Sequence, residues 1–194
     1  MIHPLVLNPP NKSTEDLPKE KAIELQDYNF TRIISSPFRR CLQTAAIIAG
    51  TLGIETIDVD KGIGEMMIMV SRVGGTPANF NYLSPVQMDE IIREASSGKA
   101  TIGKVNGDDF EFHQDDVDVI RKKFQIIKEE ILGNPKRQNV LLVTHGDVIS
   151  ATLNIVNGET LIECDYCRWI IYEESHTASR LKLLAQSDGI EVME

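Results

Sequence analysis

Residues 140–153 read VLLVTHGDVISATL. Val140 to Thr144 are all apolar or β-branched, with no polar alternation. So short a run predicts a strand buried on both faces of a mostly parallel sheet. His145, Gly146 and Asp147 follow at its carboxyl end, and an apolar-periodic helix begins at about Val148. In open α/β sheets, ligands sit in the crevice beyond the carboxyl ends of the strands. A His on that rim is placed for chemistry, and the Gly allows a tight turn and close backbone approach.

Upstream, residues 31–50 read TRIISSPFRRCLQTAAIIAG. Arg32 to Ser35 form a short strand; Ser36 is a candidate cap for the following helix, with Pro37 at its first position. Phe38, Leu42, Ala45, Ala46, Ala49 and Leu52 fall at helical spacing and make one buried stripe. Arg40 lies about 200° round from Phe38 at ~100° per residue, so it leaves that stripe and points towards the strand's carboxyl end. A helix N-terminus favours an anion, and an Arg fork beside it can grip phosphate bidentately. A solvated surface Arg is the alternative. IETIDV, 54–59, predicts a third strand, and Glu65 follows shortly after its carboxyl end. A carboxyl group there is either a general acid or an ordinary solvated Glu.

The remaining segments complete an α/β chain. Pro4, Pro9 and Pro10 limit any N-terminal strand to a piece such as Leu5–Leu7. Asp16 opens a helix with Pro18 in its first turn and Leu17, Ala22 and Leu25 on its apolar face. Residues 70–113 are turn-rich and hold one helix, from Ser84 and Pro85 to about Ala95. They read as an insertion that covers a site rather than part of the core. An amphipathic helix occupies 115–132 and is stopped by Gly133, Asn134 and Pro135. Arg168–Tyr172 is a strand, with Trp169 and Tyr172 closing an edge of the core. Leu181–Leu184 and Ile190–Val192 supply a last strand or hairpin.

Composition bounds the chemistry. A chain of 194 residues is one domain or at most two. Its net charge of −9 argues against nucleic acid and anionic membranes as partners. No apolar run approaches the ~18 residues of a membrane span, and the N-terminus has no signal-type apolar segment. Three Cys do not suggest a disulfide framework, which fits a reducing, cytoplasmic setting. Cys164 and Cys167 form a CxxC, but no second ligand pair lies near and the motif does not open a helix. Two partly buried thiols are the simpler reading.

Taken together, strand–SSPFRRCLQTA–helix and strand–VTHGDV–helix resemble the histidine phosphatase superfamily, which includes the phosphoglycerate mutases. The resemblance covers roughly residues 15–190, and its first motif rests on Ser36, Pro37, Arg40, Gln43, Thr44 and Ala45 together. GIGEM, IIRKKFQIIKEEI and DYCRWIIYEE look most like the branch of steroid-phosphate phosphatases and lymphocyte signalling suppressors.

The resemblance implies a three-layer, phosphoglycerate mutase-like sandwich, with helices on both faces of a mostly parallel sheet. It implies a single domain, 1–194, with 70–113 as a cap. It also implies phosphomonoester hydrolysis or transfer through a phosphohistidine, with no metal and no cofactor. Arg40 and Ser36 then bind phosphate, His145 is the second, non-nucleophilic histidine, and Glu65 is the proton donor; Asp147 fits that role less well.

One part of the family pattern is missing. Its members open with a strand ending in Arg-His-Gly, whose His becomes phosphorylated, and this sequence contains no Arg-His-Gly. His3 has no Arg beside it and Pro4 after it, while His176 reads as a surface residue. DLPKEKAIEL looks like the helix that follows the first motif, so the resemblance implies that the first strand is lost and the active site truncated.

That strand would lie beside the one ending in His145, and its absence leaves buried backbone groups costing about 1–3 kcal/mol each. Against roughly 5–15 kcal/mol of total stability, the gap must be filled. Either residues 3–8 bend in as a makeshift strand or a second chain covers it, as in a homodimer. Three functions are open. One is a poorly active phosphatase or mutase acting on a phosphorylated small molecule. Another is a non-catalytic phosphate- or sulfate-binding or protein-interaction module. The last is a metal hydrolase using His145, Asp147 and His113.

Overall fold

A computed structural model describes residues 2–6, 16–65, 83–107, 122, 125, 139–157, 160–164, 167–175, 180–188 and 190–193. In the first strand, and in the two-stranded sheet described below, the description is of the backbone alone. Strand β1 spans Ile2–Val6, helix α1 Leu17–Leu25, β2 Arg32–Ser35, α2 Arg39–Leu52 and β3 Thr56–Asp60. Helix α3 is Pro85–Ala95 and β4 Thr101–Asn106. They are followed by β5 Val140–Thr144, α4 Gly146–Asn157, β6 Thr160–Cys164, β7 Ile170–Ser175, β8 Arg180–Gln186 and β9 Ile190–Met193. Short 3₁₀ turns cover Gln26–Tyr28 and Lys61–Ile63.

Seven strands form one sheet in the order β4-β3-β2-β5-β1-β7-β8; β6 and β9 pair separately and antiparallel. The pairs from β4 across to β1 are all parallel, and β7 and β8 close the sheet with antiparallel pairs. All five residues of β5 are buried, as a strand covered on both faces requires. Leu141 and Val143 join a core with Ile33, Ile57 and Val59 and with the apolar faces of α1, α2 and α3. Val140 and Leu142 are equally buried on the opposite face. There α4 packs against β1 and β8 through a helix that buries Val148, Ile149 and Leu153. The result is the three-layer arrangement.

Local signals explain most boundaries. Ser84 and Gln87 form a reciprocal capping box at the start of α3. Gly53 ends α2 in the left-handed region at φ 74°, a conformation glycine takes without a Cβ penalty. Trp169 is buried and donates through Nε1 to Glu24 Oε1 at 2.8 Å, which ties β7 to α1. Cys167 is buried too, and burial pushes its thiol up to about 12, an inert state. No helix among the described residues is long and apolar enough to cross a membrane.

Three expectations can be set against this fold. First, the makeshift strand expected over residues 3–8 is present, at 2–6: β1 pairs with β5 in parallel, Ile2 opposite Val140 through Val6 opposite Thr144. Residues 2–6 therefore fill the slot of the strand expected to be missing, and they run through Pro4. Proline has no N–H to donate, and β7 pairs with β1 at Ile2 only, short of Pro4. Second, part of the presumed cap over 70–113 belongs to the core. Strand β4 pairs with β3, and Met88, Ile91, Ile92 and Ala100 are buried in the main cluster. Residues 66–82 and 108–113 lie outside the described residues, as does most of the predicted helix 115–132. Third, β6 was not foreseen in TLIEC.

Candidate active site

The site lies at the carboxyl ends of the neighbouring strands β2 and β5, where the sheet order turns back on itself. Its centre is His145, 2% exposed, directly after β5. Its Nε2 lies 2.8 Å from Ser36 Oγ, and its Nδ1 lies 2.8 Å from Arg40 Nη2. The guanidinium can only donate, so Nδ1 must accept and Nε2 must carry the hydrogen, which it donates to Ser36. The ring is therefore neutral. Burial, and then the nearby Arg40 charge, push its pKa down to about 3, while Asp147 pulls the other way.

Ser36 differs from its predicted role. The N-cap position of α2 is Phe38, in extended conformation and without a side-chain cap bond. The Ser36 hydroxyl instead serves His145, with a long 3.4 Å bond from the Phe38 N–H. Ser36 N–H donates to Val143 O at 2.8 Å, which fixes the end of β2 against β5.

Arg40 sits in the first turn of α2 and reaches over the site. Its Nη2 is bonded to Glu65 Oε2 as well as to His145. The same Glu65 oxygen is 3.3 Å from His145 Nδ1. One guanidinium nitrogen thus bridges a carboxylate and an imidazole. Arg40 Nε is buried and has no hydrogen-bond partner among the described residues.

Glu65 is brought there by a chain of local contacts. Asp60 accepts from Gly62 N–H at 2.7 Å and so caps the 3₁₀ turn after β3. Thr144 Oγ1 then donates to Ile63 O at 2.5 Å and ties that turn to the end of β5. The Phe38 ring meets His145 edge-on at 4.9 Å and lies 5.2 Å below the Arg40 guanidinium. Periodicity assigns Phe38 to the core stripe, and it does pack, half-buried, against the main cluster. Its place just before the helix, where the backbone is still extended, also brings its ring to the site.

Cys41 Sγ is 3.6 Å from His145 Nε2, but the thiol is fully buried and burial pushes it up to about 12. It stays a thiol and donates to Thr144 O at 3.7 Å. Gly146 begins α4, and a Cβ there would meet nothing within 4 Å. The fold itself therefore does not demand glycine at this position, contrary to the tight-turn expectation. Asp147 Oδ1 accepts from Val148 N–H at the same helix start.

The N-terminal histidine is not in this group. His3 is in register with Leu141, four residues before His145. At 3.3 Å per residue, that separation is about 13 Å along the sheet. The described residues contain no cluster of three His, Cys, Asp or Glu placed to hold a metal ion. His113 and His176 lie outside the described residues.

The family model described as histidine phosphatase superfamily (branch 1) matches residues 19–187. No curated protein matches the chain. Among solved structures, phosphoglycerate mutase from Bacillus anthracis str. Sterne superposes with a TM-score of 0.57 at 17% identity, over 95% of this chain and 91% of that one. The ecdysone phosphate phosphatase of Bombix mori, solved with tungstate, gives 0.60 at 12% identity, over 91% and 71%. A mutant phosphoserine phosphatase from Entamoeba histolytica, solved with phosphoserine, gives 0.55 at 14%, over 97% and 98%. At these identities the likeness is one of fold.

Proposed function

Since the chain belongs to the histidine phosphatase superfamily (branch 1), we propose that its site takes the phosphate of a small phosphomonoester on Arg40, Ser36 and His145. Glu65, beside the ring, is the group placed to hand a proton to a leaving oxygen. The observation that carries this reading is the convergence of Arg40 and His145 within 2.8 Å at one end of the sheet. The family match running from 19 to 187 supports a single domain. The solved relatives with phosphoserine and tungstate support phosphate as the recognised group.

Turnover by this chain is proposed to be poor. A phosphohistidine route needs a nucleophile against the phosphorus, and His3 is held about 13 Å away by its register. That same observation favours a second reading, in which the site holds a phosphorylated ligand and does not turn it over.

Calorimetric titration with inorganic phosphate tests the binding claim. The intact chain is expected to bind, and Arg40→Ala to weaken binding at least about 10-fold, since a charge-assisted hydrogen bond contributes about 1.5–3 kcal/mol. Equal affinity in the two chains would remove Arg40 from the site.

A further inference from the structure

We propose that Glu65 is an internal competitor at this site: its carboxylate stands in the anion's place on Arg40, and only a more strongly held anion, such as a phosphate dianion, displaces it. The inference rests on the reading of the site as an anion site.

Three observations carry it. One Glu65 oxygen contacts both Arg40 Nη2 and the neighbourhood of His145 Nδ1, at 3.3 Å from the latter. An oxyanion at that point would be held by the guanidinium and lie beside the imidazole. Next, the His145 side chain is 1% exposed, against 19% for Glu65 and 27% for Arg40. The carboxylate thus lies on the outer side of a buried ring, and its three side-chain torsions allow it to swing off Arg40. Finally, Arg40 Nε is a buried donor without a partner among the described residues. A carboxylate bound through Nη2 leaves that donor idle, whereas a tetrahedral oxyanion offers a second oxygen for a two-point grip.

Charge then sets the selection. A monoanion that replaces Glu65 exchanges one negative charge for another beside Arg40 and gains nothing from the exchange. A dianion adds a charge next to the guanidinium, while Glu65 swings off it. Neutralising Glu65 removes the same competitor for either ligand and should therefore tighten binding of monoanions and dianions alike.

The test uses the full chain and its Glu65→Gln and Glu65→Asp variants, titrated at about pH 8 with inorganic phosphate and, separately, with formate. The intact chain is expected to bind phosphate with no measurable formate binding. Glu65→Gln should bind phosphate about 10-fold tighter and bind formate measurably. Glu65→Asp, whose shorter side chain reaches Arg40 less well, should fall between, and it carries the same test if Glu65→Gln does not fold. Phosphate binding no tighter in the folded variants than in the intact chain would overturn this inference alone. Failure of all three chains to bind phosphate would overturn the anion-site reading and this inference with it.

Discussion

Removal of residues 1–6 is expected to abolish the cooperative fold. Strand β1 lies inside the sheet, between β5 and β7. Its five residues pair in register with all five of β5, the most completely buried strand described. Without it, the N–H and C=O groups along one side of β5 face a gap in the protein interior. Each buried unsatisfied group costs about 1–3 kcal/mol. Several of them along the strand together rival a total stability of roughly 5–15 kcal/mol, before any loss of α4 packing against β1 is counted. Far-UV circular dichroism with a thermal melt checks this: the shortened chain should show no cooperative transition. A melting temperature within a few degrees of the full chain would mean that β1 contributes little and that its slot tolerates vacancy.

The second large effect concerns turnover. With p-nitrophenyl phosphate the chain is expected to fall orders of magnitude short of a phosphohistidine enzyme, since each tenfold in rate is about 1.36 kcal/mol of barrier and the covalent step is a large part of the whole. His3 is anchored by the register that makes β1 useful: Pro4 opposite Leu142 and Val6 opposite Thr144 place it four residues from the level of His145. Sliding β1 to deliver His3 would break that ladder. Residual hydrolysis should be insensitive to His3→Ala, and acid-labile phosphohistidine should not accumulate. Rapid turnover that disappears in His3→Ala would place His3 at the phosphate and refute the register argument.

Much of this architecture can be read before coordinates. The apolar run Val140–Thr144 identifies a central strand because five consecutive apolar or β-branched residues have no solvent-facing alternation. Arg40, Glu65 and His145 each follow a strand's carboxyl end, and parallel strands bring such ends to one rim. Other features cannot be read so directly. Strand β4, TIGKVN, carries Gly103 and Lys104, which resemble a loop; it survives as an edge strand because only one side must pair. Pro4 argues against an interior strand on propensity, and only the tertiary demand of β5 for a partner outweighs it. The choice of Ser36 between capping α2 and holding His145 is a matter of a few ångströms in space, and no spacing rule decides it.

The most direct test of the account is the nitrogen-resolved NMR spectrum of the His145 ring, followed with pH and with inorganic phosphate. The account predicts a neutral Nε2–H ring at neutral pH that stays neutral well below the ordinary histidine value of 6.5 in the phosphate-free chain. It also predicts that added phosphate shifts this ring, and that Arg40→Ala removes the shift. A ring that titrates near its ordinary value and ignores phosphate would contradict the claim that Arg40 and His145 share one anion.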